Sequence, residues 1–355
     1  MSYAETWHAQ RCPWRHMTAT SETTASICVD MGTTNTRVWI VQNQNIVDRI
    51  GEQVGLRDAA RERNTSIVRD TLARLISMAR SRAAELGLRA DCILAAGMLT
   101  SPLGLCEVPH IPAPAGEEEL ATSLYEFSDP KVTDLPIYLV PGVRSGPHSP
   151  ALEDLENTDL IRGEETIVVG LVHAGILRPN TTLLNLGSHW KAIAIDENCR
   201  IASSFTTLSG EFIHALQTQT VLASALPQGR FEAVDPVWLD KGRHFESRNG
   251  TGRTMFGVRL LEQIFHIGPA ALSSFLLGAI VESDLKSMDR AGVLKGPIII
   301  TGEGAAPEAW QRILESTGRK SEYLPVETVE QGFARGLVRL FHLFQDQRTY
   351  KGDCS

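Results

Sequence analysis

The 355-residue sequence has no uninterrupted apolar run long enough to span a bilayer. Its longest, residues 167–177, is broken by Gly170, His173 and Gly175, whereas a spanning helix needs roughly 20 apolar residues. No membrane segment is therefore expected. Basic runs are missing too, and the net charge is -8. This excludes a sequence-independent nucleic-acid binder, because such binding rests on lysine and arginine neutralising phosphates. The six cysteines, Cys12, Cys28, Cys92, Cys106, Cys199 and Cys354, show neither C-x-x-C nor zinc-ligand spacing, and the ten histidines show no H-E-x-x-H pair. That scatter fits a reducing, cytoplasmic setting and no structural transition metal. Residues 1–25 lack periodicity and the apolar core of a signal peptide. They are expected to be a disordered leader, with Met17 as an alternative start.

What is present is an ordinary globular composition, 43% hydrophobic and 21% charged, in a chain longer than one core usually covers. Strand-like runs at residues 27–31, 38–41 and 44–50 open the chain in hairpin fashion. Residues 66–86 place Ile67, Leu72, Leu75, Ile76, Ala79 and Ala83 on one helical face, and a buried strand follows at 91–95. The stretch GMLTSPLGLCEVPHIPAPAG (97–116) contains four prolines and is expected to be a long binding loop without regular structure. A short strand at 136–140 and a helix at 164–174, entered through IRGEET, complete the first block.

The second block opens with strand-like runs at 181–186, 191–196 and 200–207 and continues with helices at 210–222, 253–266 and 269–289. A buried strand runs into the glycine turn PIIITGEGAAP (297–307), followed by a helix to 317, a strand at 322–324 and a helix at 329–344. Both blocks share one grammar: strand, polar glycine-hydroxyl turn, two more strands, helix. ICVDMGTT (27–34) thus stands beside LLNLGSH (183–189). The pattern predicts two related α/β domains, residues 26–175 and 176–345, facing each other across a cleft.

The turn within ICVDMGTTNTRVWI (27–40) holds an acid and an arginine. No P-loop and no dinucleotide glycine pattern follows Asp30. The physics is nonetheless that of a phosphate site. Gly32 lets the backbone approach a ligand, the amides of Thr33, Thr34 and Asn35 can converge on an anion, and Arg37 adds charge. Phosphate repels Asp30 unless a cation stands between them, which suits a magnesium ion carried with ATP, held by one or two carboxylates and phosphate oxygens. In that arrangement Asp30 faces the metal and Arg37 faces phosphate, and the two need not pair with each other. The plain alternative is a hairpin in which Asp30 and Asn35 only stabilise the turn.

DMGTTNTRVW resembles the first phosphate motif of the sugar-kinase, heat-shock and actin ATPase superfamily. From about Ile27 to Leu340 the chain resembles the 2-dehydro-3-deoxygalactonokinase family: GM-x-x-S-x-x-G-x-x-E-x-P at 97–109, PGVRS at 141–145, IRGEET at 161–166, LGSHWK at 186–191, LSGEF at 208–212 and the glycine turn at 302. The resemblance implies two ribonuclease-H-like domains in the actin-like ATPase fold, ATP and Mg2+ in the cleft, and a small sugar acid as the other partner. The implied reaction moves the γ-phosphoryl group to a terminal hydroxyl of 2-dehydro-3-deoxy-D-galactonate. It also allows a homodimer.

A group that takes the hydroxyl proton is then required. Glu165 is the first choice, because a similar G-x-E-E helix start carries the catalytic glutamate of the related exopolyphosphatases. Glu164 follows, then Asp159. Acids at a helix start also suit its dipole without any catalytic role. Gly187, Ser188, His189 and Lys191 resemble the second phosphate motif, and Gly302, Glu303 and Gly304 the floor under the adenosine. A sugar carboxylate is best matched by arginine, for which Arg144 and Arg162 are the candidates, with Ser101 and Glu107 available to hydroxyls. Pro102, Leu105 and His110 stand where the family pattern has arginine, tryptophan and tyrosine, and Trp190 replaces a small hydroxyl residue. Two other readings remain: a phosphohydrolase of the exopolyphosphatase type that activates water, and a catalytically inactive sensor on the same fold.

Overall fold

In a computed structural model, which describes residues 23–62 and 66–352, three strands open the chain: β1 (Thr24–Met31), β2 (Thr36–Gln42) and β3 (Asn45–Glu52). They pair antiparallel in sequence order because their connections are short. The expected disordered leader lies almost wholly outside the described residues, and its last two positions already belong to β1. Helices α1 (Leu56–Glu62) and α2 (Ser66–Glu85) lead to β4 (Arg89–Gly97), which pairs parallel with β1.

Next come β5 (Ile111–Pro112), α3 (Glu117–Thr122), β6 (Tyr125–Phe127), β7 (Ile137–Leu139), β8 (Val143–Ser145), β9 (Asp159–Ile161) and α4 (Glu164–His173). The second half carries β10 (Thr182–Leu186), β11 (Trp190–Ile195), β12 (Ile201–Thr207), α5 (Ser209–Gln219), α6 (Pro236–Gln263) and α7 (Pro269–Arg290). It closes with β13 (Ile298–Gly302), α8 (Ala306–Ser316), β14 (Ser321–Tyr323) and α9 (Val326–Gly352).

The first sheet runs β3-β2-β1-β4-β7-β6 and the second β12-β11-β10-β13-β14. Apart from the β6 edge, both follow one plan: an antiparallel meander whose first strand then pairs parallel with the fourth. This is the repeated ribonuclease-H-like topology of the actin-like ATPase fold, as expected. A small third sheet, β5-β8-β9, was not foreseen. It takes its first strand from the proline-rich 97–116 stretch, so that stretch is not entirely loop.

The layers follow from side-chain alternation. In β1, Ile27, Val29 and Met31 face α2, whose Val68, Leu72, Leu75, Ile76 and Ala79 cover them. Cys28, on the opposite face, joins a core made by α4 and α9 together with Leu183, Ile193 and Ile299 of the second sheet. The far face of that sheet packs under α6, α7 and α8, where Trp190 and Trp310 meet edge to face at 6.0 Å. Trp190 is therefore a core residue. Helix α9, last in sequence, lies in the middle layer shared by both sheets.

Helix α6 begins far earlier than the 253–266 expectation. Its first half carries no clean apolar stripe, but Asp235 Oδ1 caps it by accepting from the Val237 and Trp238 amides at 2.9 and 3.2 Å. The helix bends at Gly250, which leaves helical geometry.

Candidate active site

The β1–β2 hairpin puts Asp30 directly opposite Arg37. The Gly32 amide closes the turn on the Asn35 carbonyl at 2.8 Å, and Asn35 Nδ2 donates to Thr34 Oγ1 at 2.9 Å. Among the described residues the amides of Thr33, Thr34 and Asn35 have no protein acceptor, as an anion site requires. Arg37 does pair with Asp30, Nη1 to Oδ2 at 3.3 Å, and also approaches Glu330 of α9 at 3.9 Å. Cross-strand register brings the opposite charges together, so Arg37 stands among acids.

Asp30 meets the other carboxylates where β1 and β4 end. Gly97 closes β4 at φ +92, and a Cβ there would stand 2.7 Å from the Met31 carbonyl oxygen and 3.0 Å from Asp30 Oδ1. Gly163 caps α4 at φ +105, with the Gly97 Cα 3.4 Å from where its Cβ would be. Two glycines in the left-handed region thus lie face to face and bring the start of α4 close to Asp30. Burial pushes the Asp30 carboxyl up to about 6; Arg37 opposes that shift and the Glu164 charge adds to it.

Glu164 and Glu165 differ sharply. Glu165 is 0% exposed, both its oxygens accept from the Gly163 amide at 2.8 Å, and burial raises its carboxyl to about 8, with the Glu164 charge adding. Glu164 Oε1 accepts from Lys191 Nζ at 2.6 Å, while its Oε2 is covered and has no partner. Lys191 comes from β11, so this ion pair joins the two halves. Sequence alone put Glu165 ahead of Glu164. At neutral pH Glu165 keeps its proton, whereas a base must be ionised.

The Glu165 shift has a testable sign. A buried neutral carboxyl keeps a proton that the unfolded chain releases above the ordinary 4.5, so folding stability falls as pH rises from 4.5 to about 8. Glu165→Gln should therefore melt at a higher temperature than the parent at pH 8, with the gain vanishing towards pH 4.5. Thermal melts across that range check this, and a pH-independent difference would contradict it.

Asp159 is not part of the carboxylate group: it accepts from Thr206 Oγ1 of β12 at 2.9 Å. On the second sheet, the Gly187–His189 turn rests on the start of α5. Gly210 lies flush against the Gly187 and Ser188 carbonyls, the Glu211 amide donates to the Ser188 carbonyl at 2.8 Å, and His189 Nε2 stands 3.7 Å from Glu211 Oε1. The first half repeats the device, since a Cβ at Gly55, just before α1, would be 2.5 Å from the Thr33 carbonyl group. Gly55, Gly210 and Arg57 were missed in the sequence. The Arg57 amide holds the Thr33 carbonyl at 2.9 Å, and its Nε is covered without a partner.

Gly302 abuts Leu186 at the end of the second sheet, and Gly304 lies under the Phe231 carbonyl. Glu303 forms an ion pair with Arg230, so the 302–304 turn and the 230–231 loop make one surface beside the second phosphate turn.

The proposed sugar residues fare unevenly. Arg162 donates from Nη1 to Thr100 Oγ1 at 2.7 Å and from Nη2 to the Val108 carbonyl at 2.9 Å, and Nη2 lies 3.3 Å from His110 Nδ1. Both Nη2 hydrogens are committed, which leaves neither two-nitrogen edge of the guanidinium free for a carboxylate. Arg162 is thus a clamp on the 97–110 loop. The buried Ser101 hydroxyl donates to the Met98 carbonyl at 2.7 Å. Glu107 is exposed. Arg144 Nη2 donates to the His148 carbonyl at 2.6 Å and makes no ion pair among the described residues. Arginine can only donate, so His110 Nδ1 is an acceptor and the proton sits on Nε2, which is covered and unpartnered. Burial first, then Arg162 and Arg144, push His110 down to about 4, so its ring is neutral.

Among the described residues no cluster of three or more acid, histidine or cysteine side chains could hold a metal. The Asp30 carboxylate, close to the Glu164 charge, instead suits a hard cation that keeps its waters and takes phosphate oxygens.

The family profile described as 2-keto-3-deoxy-galactonokinase matches residues 30–340. A 2-dehydro-3-deoxygalactonokinase of Escherichia coli (strain K12) is 22% identical over 263 residues, which is 74% of this chain and 80% of that protein. A crystal structure from Sinorhizobium meliloti, provisionally named 2-dehydro-3-deoxygalactonokinase, superposes with a TM-score of 0.69 at 20% identity, covering 89% of this chain and 97% of that one. No helix among the described residues is long and apolar enough to cross a membrane.

Proposed function

The chain belongs to the 2-keto-3-deoxy-galactonokinase family and is a sugar kinase, and on that premise we propose that it phosphorylates the terminal hydroxyl of 2-dehydro-3-deoxy-D-galactonate to the 6-phosphate, using ATP, in the cytoplasm. The observation that supports the reading is the Glu164–Lys191 pair, which joins a carboxylate with a partnerless oxygen to a lysine of the second sheet.

The amides of Thr33, Thr34 and Asn35 and the turn at Gly187, Ser188 and His189 grip the phosphates from the two sides. Gly302, Glu303 and Gly304 lie beneath the adenosine, and the 26–175 and 176–345 halves act as the two lobes. Asp30 would hold Mg2+, whose charge would offset that of the phosphoryl oxygens when bound. Glu164 Oε2 takes the proton of the attacking hydroxyl. Lys191 holds the Glu164 carboxylate in place and offsets charge as the phosphoryl group transfers. Arg144 and the Nε2–H of His110 meet the carboxylate end of the sugar acid, while Arg162 keeps their loop in place.

The test is ADP release with Mg-ATP across a panel of aldonates and keto-deoxy aldonates. Release with the galactonate-derived acid alone is expected. Release without sugar would indicate a phosphohydrolase, and none with any sugar a sensor. A further expectation concerns His110→Phe, which removes one donor. The KM for the sugar acid should rise about tenfold, the size of one lost hydrogen bond, with the KM for ATP unchanged. Equal changes in both constants would remove His110 from the sugar site.

A further inference from the structure

Asp284 belongs to none of the motifs above. It sits buried on α7, where its Oδ2 accepts from Thr207 Oγ1 at 2.9 Å and from Ser209 Oγ at 2.6 Å. The two hydroxyls are 3.0 Å apart. Burying a carboxylate is costly, and two hydroxyls offset that cost less well than a cation would. Among the described residues no cation bonds to Asp284. Helix packing alone would be served as well by an apolar side chain at this position.

The location of its two bonds explains the acid. Thr207 ends β12 and Ser209 begins α5, so Asp284 fastens the junction from both sides. The next two residues form the seat of the second phosphate turn: Gly210 lies flush against the Gly187 and Ser188 carbonyls, and the Glu211 amide donates to the Ser188 carbonyl. Thr207 is also the cross-strand partner of Trp190, which is locked against Trp310. The strand end is thereby fixed, while the start of α5 depends on Ser209 and Asp284.

We propose that Asp284 is a positioning residue for nucleotide binding, acting through Ser209 to hold the first turn of α5 under the Gly187–His189 turn. This rests on the reading that this turn grips the phosphates of ATP. The affinity of the intact protein for Mg-ADP, measured by calorimetry, tests it without relying on turnover. Asp284→Ala and Ser209→Ala should each weaken ADP binding about tenfold or more, the range for lost hydrogen bonds to a charged group. The KM for the sugar acid should stay within about twofold, since that site is built on the other half.

Unchanged ADP affinity in Ser209→Ala, which should fold even if Asp284→Ala does not, would overturn the proposal. Parallel losses in ADP affinity, sugar KM and melting temperature would also do so, by showing a merely structural role. Parent protein that binds no ADP would instead overturn the assignment of function, and this inference with it.

Discussion

Glu164→Gln should lower kcat by about 10²–10⁴, the usual size of a general-base contribution, with both KM values changed far less. The substitution preserves shape and one oxygen for Lys191 but removes the site that accepts the proton. Glu164 is suited to the role because it is only 13% exposed, is bonded to Lys191, and has one oxygen without a partner. Glu165→Gln should keep turnover within about tenfold of the parent, because a residue that already holds its proton at neutral pH loses no base when made neutral. The reverse ranking of the two variants, measured as kcat at saturating ATP and sugar acid, would return the role to Glu165. Lys191→Met should resemble Glu164→Gln in kcat, since it takes away the cation that holds Glu164 and offsets charge during transfer.

The same pair shows how far the sequence could be read. IRGEET marked a helix start with two acids, and the structure places it at the end of β4 beside Asp30. Which acid faces the cleft was not legible. Adjacent helical residues point about 100° apart, and the direction depends on Gly97 lying against Gly163, a contact between residues 66 positions apart.

The Asp30–Arg37 pairing, by contrast, was legible in principle. A turn at Gly32–Asn35 sets Met31 opposite Thr36 and Asp30 opposite Arg37. Function-first reasoning assigned the two charges to different ligands and passed over this register. Arg162 and Ser101 were read as sugar contacts by residue type alone. Their partners, Thr100 Oγ1 and the Met98 carbonyl, emerge only when the proline-rich stretch folds back on itself. The repeated sheet order was readable because it rests on local alternation and turn chemistry. The first half of α6 and the small β5-β8-β9 sheet were not, since tertiary contacts rather than a periodic stripe hold them.

A second large effect is expected from a single methyl group. QGFARG (331–336) places Gly332 and Gly336 one turn apart on α9, facing Gly170 of α4. A Cβ at Gly170 would overlap the Gly332 carbonyl oxygen, and one at Gly336 the Thr166 carbonyl oxygen. Backbone on both sides leaves nothing flexible to yield, so the helices must separate. Gly170→Ala should cost about 1–3 kcal/mol or more, as overpacking of a tight core does, measured as a fall in the urea midpoint. Gly252→Ala is the contrast. It too is helical, but nothing lies within 4 Å of its Cβ position, so that change should be neutral or stabilise by up to about 1 kcal/mol. Equal midpoints for the two variants would disprove the close approach. Activity should fall further than stability, because α4 carries Glu164 at its first residue and crosses α9 at Gly170. A displacement of about 1 Å there moves the base relative to Asp30 and Lys191, and misplacements of that order cost about 10²-fold in rate. Folded Gly170→Ala protein, assayed below its midpoint, should therefore show reduced kcat. Full turnover in that folded variant would separate the helix crossing from the catalytic geometry.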